Sequence, residues 1–285
     1  MKIWDRKRNI FYEEKEYGKK KLDFLYNTFL GRMLLKLIFS RIWFSKLQAI
    51  YQNSKISKRK ILPFILKYNV DMSVYENQSY NSFADFFKRK RDIKNESFEN
   101  ELIAIADSKL QVFSIQDNLE LKIKQSIYSL NELIQDEQIA KKYKDGTCLI
   151  YRLSMDDYHR FMFLDDGDII NTKKIKGVLH TIRPISKRYN VFCQNSRQVT
   201  FLNTKNFGRV IQIEIGAMLV GKIVNYKKIN FKRLEEKGYF DFGGSTIVQL
   251  FEKEKIKIDG DILAKSKENI ETKVEIGMKI GEKYD

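Results

Sequence analysis

The stretch "YFDFGGSTIVQLFE", residues 239–252, joins two strand-forming runs through an adjacent pair of glycines. Glycines inside a strand weaken it and mark a bulge, a bend or a close approach of backbone. Gly243 and Gly244 allow backbone geometry that a residue with a Cβ avoids, and Ser245 follows them directly. The stretch therefore predicts a bend beside a serine, inside what reads as one long strand.

Outside this stretch, the chain divides into two regions with different residue patterns. The first part has apolar residues at helical spacing, with a helix broken at Pro63, and later segments are short runs rich in Ile, Val, Phe and Tyr. Residues 128–146 predict one helical interruption among them. These patterns predict an α+β fold, with a helical N-terminal third followed by a mainly antiparallel, β-rich core. We predict a basic, helical, membrane-associated region over residues 1–80 and a β-rich catalytic domain over residues 81–285.

Composition limits the partners and the compartment. The 285 residues include 53 Lys and Arg against 37 Asp and Glu, and the resulting net charge of +16 predicts an anionic partner. Two cysteines without a framework spacing indicate a reducing cytoplasm. No apolar run approaches the roughly 18 residues that a spanning helix needs. The charged opening of the chain does not resemble a signal peptide.

The positive charge is concentrated in one segment. From Phe24 to Val70 there are nine Lys or Arg residues and no Asp or Glu, and the apolar residues recur at helical spacing. A basic, aromatic-rich amphipathic helix is typical of proteins that lie on an anionic bilayer. An ordinary surface helix is the alternative, and nucleic acid comes third because no RNP motif or zinc spacing is present. We expect four apolar side chains to face the membrane: Leu34, Ile38, Trp43 and Phe44.

Only two histidines are available for acid–base chemistry, His159 and His180. His159 follows Asp157 in "MDDYHRF", and a serine nucleophile needs only one base with one orienting carboxylate. For either histidine, a hydrogen-bonded structural role is the alternative. No metal site is predicted, because two histidines and two scattered cysteines show no ligand spacing. The G-x-S-x-G elbow of α/β-hydrolases is also absent.

A serine after two glycines suits attack on its own backbone. The Ser245 hydroxyl could add to the carbonyl carbon of Gly244, and an N-to-O acyl shift would give an ester. Elimination would then leave dehydroalanine, which hydrolyses to a pyruvoyl group. The products would be a large chain, residues 1–244, and a small chain, residues 245–285, that begins with a ketone. Such a ketone forms a Schiff base with an amine and withdraws electrons, as pyridoxal phosphate does elsewhere.

Three motifs, "FGGST", "DYHRF" followed by "DDG", and "ENQSYNSFADFFKRK", together resemble the phosphatidylserine decarboxylase proenzyme family. The resemblance runs in order through most of the chain. It implies a self-cleaving enzyme, peripheral on the cytoplasmic side of the cell membrane. This enzyme would convert phosphatidylserine to phosphatidylethanolamine and CO2 through a Schiff base on a serine-derived pyruvoyl group. A homodimer is also expected from the resemblance and from the commonness of two-fold oligomers.

The resemblance implies roles for single residues. Ser245 matches the serine that becomes the pyruvoyl group, and Gly244 matches the residue left at the new carboxyl end. Asp107 matches the aspartate that orients the base, and His159 matches the first histidine of the family pattern. Gly243 and Asp157 are expected to support the site. Arg183 is a candidate for holding the lipid phosphate, with a solvated surface arginine as the alternative.

The chain departs from the family pattern at one position that matters for self-cleavage. The family pattern has a second histidine, assigned as the base for self-cleavage, where this chain has Met162. His159 serves both steps in the interpretation we favour, and His180 reaching the site from a neighbouring strand is an alternative. A degenerate family member that binds anionic membranes without cleavage, or a pyruvoyl decarboxylase of a soluble amino acid, are the other functions left open.

Overall fold

A computed structural model describes nearly the whole chain. The described residues are 2–14, 18–76, 79–94, 98–123, 126–182, 184–186, 189–218, 222–243 and 245–284. Helices dominate the described residues up to about residue 90 and strands dominate the rest, so the predicted α+β class is confirmed.

Seven helical segments follow one another among the described residues of the N-terminal part. They are α1 (Lys19–Asn27), α2 (Phe29–Leu34), a π-helix (Leu35–Phe39), α3 (Ile42–Asn53), a 3₁₀-helix (Lys55–Lys60), α4 (Ile61–Tyr68) and α5 (Phe83–Phe87). The predicted break at Pro63 is wrong, because Pro63 lies in the first turn of α4. The first N–H groups of a helix have no partner within it, so proline is tolerated there.

The remaining helices are short. They are α6 (Leu130–Ile134), α7 (Glu137–Lys141), a 3₁₀-turn (Pro184–Ser186), α8 (Val191–Gln194) and α9 (Gly260–Lys267). The single helix predicted over residues 128–146 is therefore two helices, separated where Gln135 takes a left-handed conformation and Asp136 caps α7. An Asp side chain that accepts from a backbone N–H starts a new helix at this position.

In the described part of the chain, ten strands form one large sheet. In chain order they are β1 (Lys2–Asp5), β2 (Ile10–Glu13), β4 (Ser108–Ser114), β7 (Thr147–Leu153), β9 (Gly167–Ile175), β10 (Arg197–Thr204), β11 (Gly208–Ile215), β13 (Asn230–Phe231), β15 (Ser245–Phe251) and β17 (Glu271–Val274). Their order across the sheet is β13-β9-β10-β11-β15-β7-β4-β17-β1-β2. Every neighbouring pair is antiparallel except β1 and β17.

Three smaller sheets complete the fold. They contain β3 (Glu101–Ile103), β5 (Glu120–Ile123), β6 (Ser126–Ser129), β8 (Arg160–Met162), β12 (Ile223–Asn225), β14 (Glu236–Phe240), β16 (Ile256–Ile258) and β18 (Lys279–Lys283). Their orders are β12-β14-β8, β16-β18-β3 and β5-β6. Strand β15 is buried along its whole length because a hydrophobic cluster covers each face, with Ile247 in one and Val248 in the other.

The first residues of the chain belong to the large sheet. Strand β1 pairs with β17, with Ile3 opposite Glu271, and β2 pairs back on β1. The helical third is therefore preceded by a hairpin that the sequence did not predict. The domain boundary near residue 80 stays a prediction.

Among the described strands, three of the six connections that cross between the large sheet and the sheet β12-β14-β8 also line the cavity described below. They run from β7 to β8, from β11 to β12 and from β14 to β15. The glycine-rich stretch is the third of these, so residues 239–252 form two strands in different sheets rather than one long strand. The bend predicted at the glycine pair is the point where the chain changes sheet.

Candidate active site

Ser245 is the first residue of β15 and lies opposite Leu153, the last residue of β7. Its side chain is completely buried, and its Oγ makes no hydrogen bond to any described residue. Gly243, two residues earlier, has a φ of 105°, which glycine adopts readily and other residues do not. Gly244 lies outside the described residues. The serine hydroxyl thus follows a turn that depends on glycine.

His159 lies on the connection from β7 to β8 and is buried. Its Nδ1 is 2.9 Å from the carbonyl oxygen of Asp157. Because a carbonyl oxygen only accepts, Nδ1 carries the proton and Nε2 of the neutral ring is the acceptor. Nε2 makes no well-aligned hydrogen bond within the described part of the chain. Burial lowers the pKa of His159 to about 3, so the ring is neutral near pH 7.

The imidazole of His159 faces the turn that leads to Ser245. The backbone of Gly243 interacts with the ring and favours its protonated form. The backbone N–H of Phe240 donates to the His159 carbonyl at 3.0 Å. The Phe87 ring, which packs on Phe242, has its centroid 4.2 Å from that of the imidazole. The connections from β7 to β8 and from β14 to β15 therefore run side by side, and each carries residues predicted to belong to the site.

Asp107 does not bond to His159 in the structure. Its two carboxylate oxygens accept from Arg91 at 2.7 and 2.8 Å, and the backbone N–H of Ile276 donates to it at 2.9 Å. The Arg91 guanidinium lies 4.7 Å from the ring centroid of Tyr158, the neighbour of His159. Among the described residues, Asp107 thus reaches the histidine segment through Arg91. The Nδ1 of His159 contacts the backbone carbonyl of Asp157, and the orienting role that the resemblance implies for Asp107 stays a prediction.

The Asp157 carboxylate has its own buried partner. Lys109 Nζ lies 2.8 and 2.7 Å from the two carboxylate oxygens, and the Ser154 backbone N–H donates to the carboxylate at 2.7 Å. Burial lowers the pKa of the Lys109 ammonium, but the attraction of nearby carboxylates, chiefly Asp157, outweighs burial and leaves that pKa raised. This ion pair fixes the segment that carries His159.

A second group of buried charges connects this segment to the N-terminal hairpin. Glu14 accepts from the Ser154 hydroxyl and lies 3.0 Å from Arg152, which also donates to Glu271 at 2.5 Å. Burial raises the pKa of Glu14, but the charge and hydrogen bonds of Arg152 outweigh burial and lower it to about 2. The residue just after β2 therefore holds the start of the β7–β8 connection.

Met162 and His180, the two other residues considered for self-cleavage, are packed against neighbouring side chains. Met162 is buried in a hydrophobic cluster that includes Tyr158 and Leu234. His180 Nδ1 lies 3.3 Å from the Tyr26 hydroxyl, and its ring stacks on Tyr189 at 4.3 Å between centroids. Burial lowers the pKa of His180 to about 4. No contact between His180 and Ser245 is present among the described residues.

A comparison with protein families decides the class of this chain. Residues 80–282 match the family model described as phosphatidylserine decarboxylase. The chain belongs to the phosphatidylserine decarboxylase family.

Relatives in this family match over their full length. The chain is 54% identical to phosphatidylserine decarboxylase proenzyme 2 of Clostridium acetobutylicum, with 99% of each chain covered. It is 41% identical to the phosphatidylserine decarboxylase proenzyme of Clostridium botulinum strain 657, again over 99% of each chain. The proenzyme of Clostridium tetani is 40% identical over 100% of this chain and 99% of its own. The resemblance inferred from three motifs is therefore confirmed.

In this member of the phosphatidylserine decarboxylase family, a cavity of about 380 Å³ lies beside the candidate site. One wall comes from the end of β7 and from three of the connections between the sheets, through Leu153, Met155, Ala217 and Phe242. The N-terminal helices provide the opposite wall, including Phe44. The cavity is thus formed jointly by the helical region and the β-rich region, next to the turn that leads to Ser245.

The four residues expected to face a membrane differ in exposure. Trp43 is 50% exposed. Leu34 and Ile38 are half-buried, and Leu34 packs on the cluster around Leu35. Phe44 is half-buried and lines the cavity. Of the 21 exposed large apolar side chains in the described part, 12 lie between Phe24 and Leu66, so exposed apolar surface is concentrated on the helices.

The buried pair predicts a large effect on stability. Lys109→Met should leave the Asp157 carboxylate buried without its cation, and breaking such a pair costs about 3–5 kcal/mol. Urea unfolding of an uncleaved variant would measure this loss. Lys253→Met is the matched control, because Lys253 pairs with Asp145 at 3.8 Å while 59% exposed, and an exposed pair contributes less than about 1 kcal/mol. Equal losses in the free energy of unfolding in the two variants would contradict a stabilising buried ion pair between Lys109 and Asp157.

Several of these residues gave no signal in the sequence. Lys109 and Asp157 are 48 positions apart, and Glu14 and Ser154 are 140 apart, so their pairing depends on strand order. Arg91 was visible only as part of the basic run "KRKR". The one usable signal was Lys109 itself, a charged residue inside a strand whose other early residues are buried.

Proposed function

We propose that this protein is a phosphatidylserine decarboxylase that matures by cleaving itself between Gly244 and Ser245. The observation that carries the proposal is the surroundings of Ser245. A buried hydroxyl without a partner among the described residues follows a glycine turn, and the backbone of Gly243 in that turn interacts with the His159 imidazole, whose Nε2 is an acceptor. Family membership supplies the substrate, phosphatidylserine, since the relatives are named for it.

Self-cleavage uses this chain's own groups. Nε2 of His159 accepts the Ser245 hydroxyl proton as the oxygen attacks the carbonyl carbon of Gly244. Breaking the C–N bond gives an ester and frees the nitrogen of residue 245. Loss of the Cα proton then breaks the ester C–O bond, which leaves a carboxylate on Gly244 and dehydroalanine at position 245. Water hydrolyses the imine tautomer, ammonia leaves, and a ketone remains.

The residues present fit a pyruvoyl group at position 245. The position is buried, it begins a strand, and an unprotonated imidazole nitrogen faces the turn before it. The pyruvoyl ketone supplies an electron sink for loss of CO2 from a bound amine. His159 is the group that gives and takes protons there. Phe87, backed by Phe242, packs on the imidazole and helps to exclude water from it.

The protein acts from the surface of an anionic membrane, in our proposal on its cytoplasmic side. The helices present large apolar side chains to solvent: Phe29 is 80% exposed, Ile50 69% and Leu66 72%. The segment from Phe24 to Val70 that contains these residues has no acidic residue. Apolar and basic groups together favour peripheral binding. Among the described residues, none of the helices has the length and apolarity needed to cross a bilayer. A homodimer also remains our expectation.

Mass spectrometry and lipid analysis test the proposal together. The purified protein should separate under denaturing conditions into chains of residues 1–244 and 245–285, the smaller carrying a pyruvoyl terminus. Incubation with phosphatidylserine vesicles should yield phosphatidylethanolamine, and free serine should yield no ethanolamine. A single 33.9 kDa chain that leaves phosphatidylserine unchanged would refute it. Turnover of free serine would instead indicate a decarboxylase of a soluble amino acid.

A further inference from the structure

We propose that Lys60 and Lys21 bind the phosphodiester group of the lipid substrate at the cavity between the N-terminal helices and the sheets. This inference rests on the proposed activity for the identity of the substrate. It goes beyond that activity in assigning which basic side chains recognise the phosphate. Arg183, the candidate from the sequence, lies outside the described residues.

The charges around the cavity have one sign. Of the described residues that line it, three are charged, Lys21, Lys60 and Arg152, and none is acidic. Arg152 is already paired with Glu14 and Glu271. A cavity with cations and without carboxylates favours an anionic ligand.

The two lysines remain available for such a ligand. Lys60 Nζ lies 3.5 Å from Gln52 Oε1 and 4.2 Å from the ring centroid of Tyr51, and it forms no ion pair with any carboxylate of the described residues. Lys21 is exposed on α1 and likewise has no ion pair in that part of the chain. A neutral amide and an aromatic ring do not compensate the charge of an ammonium group, so that group can still pair with an incoming anion.

The remaining lining suits the rest of a phospholipid. Leu25, Phe39 and Phe44 provide apolar surface on the helical side, and Phe242 provides it beside the candidate site. The helices that contribute these residues also carry the exposed apolar side chains. A lipid can therefore place its headgroup toward Ser245, its phosphate at the lysines and its acyl chains along the helices.

Lys60→Gln tests the assignment in the full-length, matured protein. The substrate is dihexanoyl phosphatidylserine below its micelle concentration, so that membrane binding does not contribute. A charge-assisted hydrogen bond predicts a KM raised by about tenfold, with self-cleavage and kcat little changed. Lys21→Gln should raise KM less, because that side chain is exposed. Lys58→Gln is the matched control, since Lys58 is exposed on the same 3₁₀-helix and does not line the cavity.

Equal KM values for Lys60→Gln and Lys58→Gln would overturn the assignment. A second measurement does not need the activity: calorimetric titration of dihexanoyl phosphatidylserine into uncleaved Ser245→Ala protein, with and without Lys60→Gln. Weaker binding with the second substitution supports the site even if the decarboxylase proposal fails. Inorganic phosphate binding as tightly as the lipid would show a simple anion site and would also overturn the lipid assignment.

Discussion

Ser245→Ala is expected to remain a single chain of 33.9 kDa and to form no phosphatidylethanolamine. Without the hydroxyl, no nucleophile reaches the Gly244 carbonyl and no pyruvoyl group forms. The fold should persist, because Oγ makes no hydrogen bond to a described residue and its removal breaks none. Intact-mass analysis and a thermal melt of the same sample would measure both outcomes.

Thr246→Val is the matched control for this experiment. Thr246 is the next residue of β15, is equally buried, and also has an Oγ without a partner in the described part. Replacing it removes a hydroxyl from the same strand while keeping the shape of the side chain. Cleavage in Thr246→Val and none in Ser245→Ala would assign the chemistry to one oxygen. Cleavage that persists in Ser245→Ala would exclude the proposed mechanism.

His159→Gln should slow self-cleavage by roughly two to four orders of magnitude, the usual contribution of a positioned general base. Glutamine keeps a polar group of similar size but cannot accept the serine proton. The fraction of cleaved chain over time, measured from first synthesis, would give the rate. His180→Gln is the control, because it removes a second buried histidine that contacts Tyr26 and Tyr189 instead. If His180→Gln slowed self-cleavage more than His159→Gln, His180 rather than His159 would be the general base.

The pH dependence follows from the lowered pKa of His159. The pKa is about 3 in the folded protein against an ordinary value of 6.5, so the unfolded chain binds the extra proton between these values. The folded state therefore loses stability as pH falls below about 6.5, and His159→Gln should lose less. Between about pH 5 and pH 8 the folded imidazole stays neutral, and the cleavage rate should not fall through its titration. A steep fall of the cleavage rate near pH 6.5 would contradict the lowered pKa of His159.

The sequence predicted the class of fold and the region of the site, because these depend on local patterns. The glycine pair and the runs of β-branched residues mark a bend between strands wherever they occur. They did not reveal that β14 and β15 lie in different sheets, since each strand has the same pattern whichever partner it takes. The hairpin of β1 and β2 was missed because its residues are highly charged, and only pairing with β17 buries Ile3.

Candidate site residues could be proposed from the sequence where one residue sufficed, but contacts between two distant residues could not. Ser245 and His159 could be named from their immediate neighbours in the sequence. The partner of Asp107 could not, because Arg91 competes for the carboxylate from a separate loop. The same limit applies to Met162. Its cluster with Tyr158 and Leu234 depends on packing between segments far apart in the chain.

The central place of β15 has a consequence for the lifetime of the mature protein. Cleavage before residue 245 would leave β15 as the first strand of the small chain, while its neighbours β7 and β11 belong to the large chain. Dilution cannot separate the two pieces without opening the middle of the ten-stranded sheet. Refolding after denaturation would require two molecules to meet, whereas the precursor folds as one. Maturation by this cleavage would therefore be a one-way step, and the cleaved protein would owe its persistence to slow unfolding.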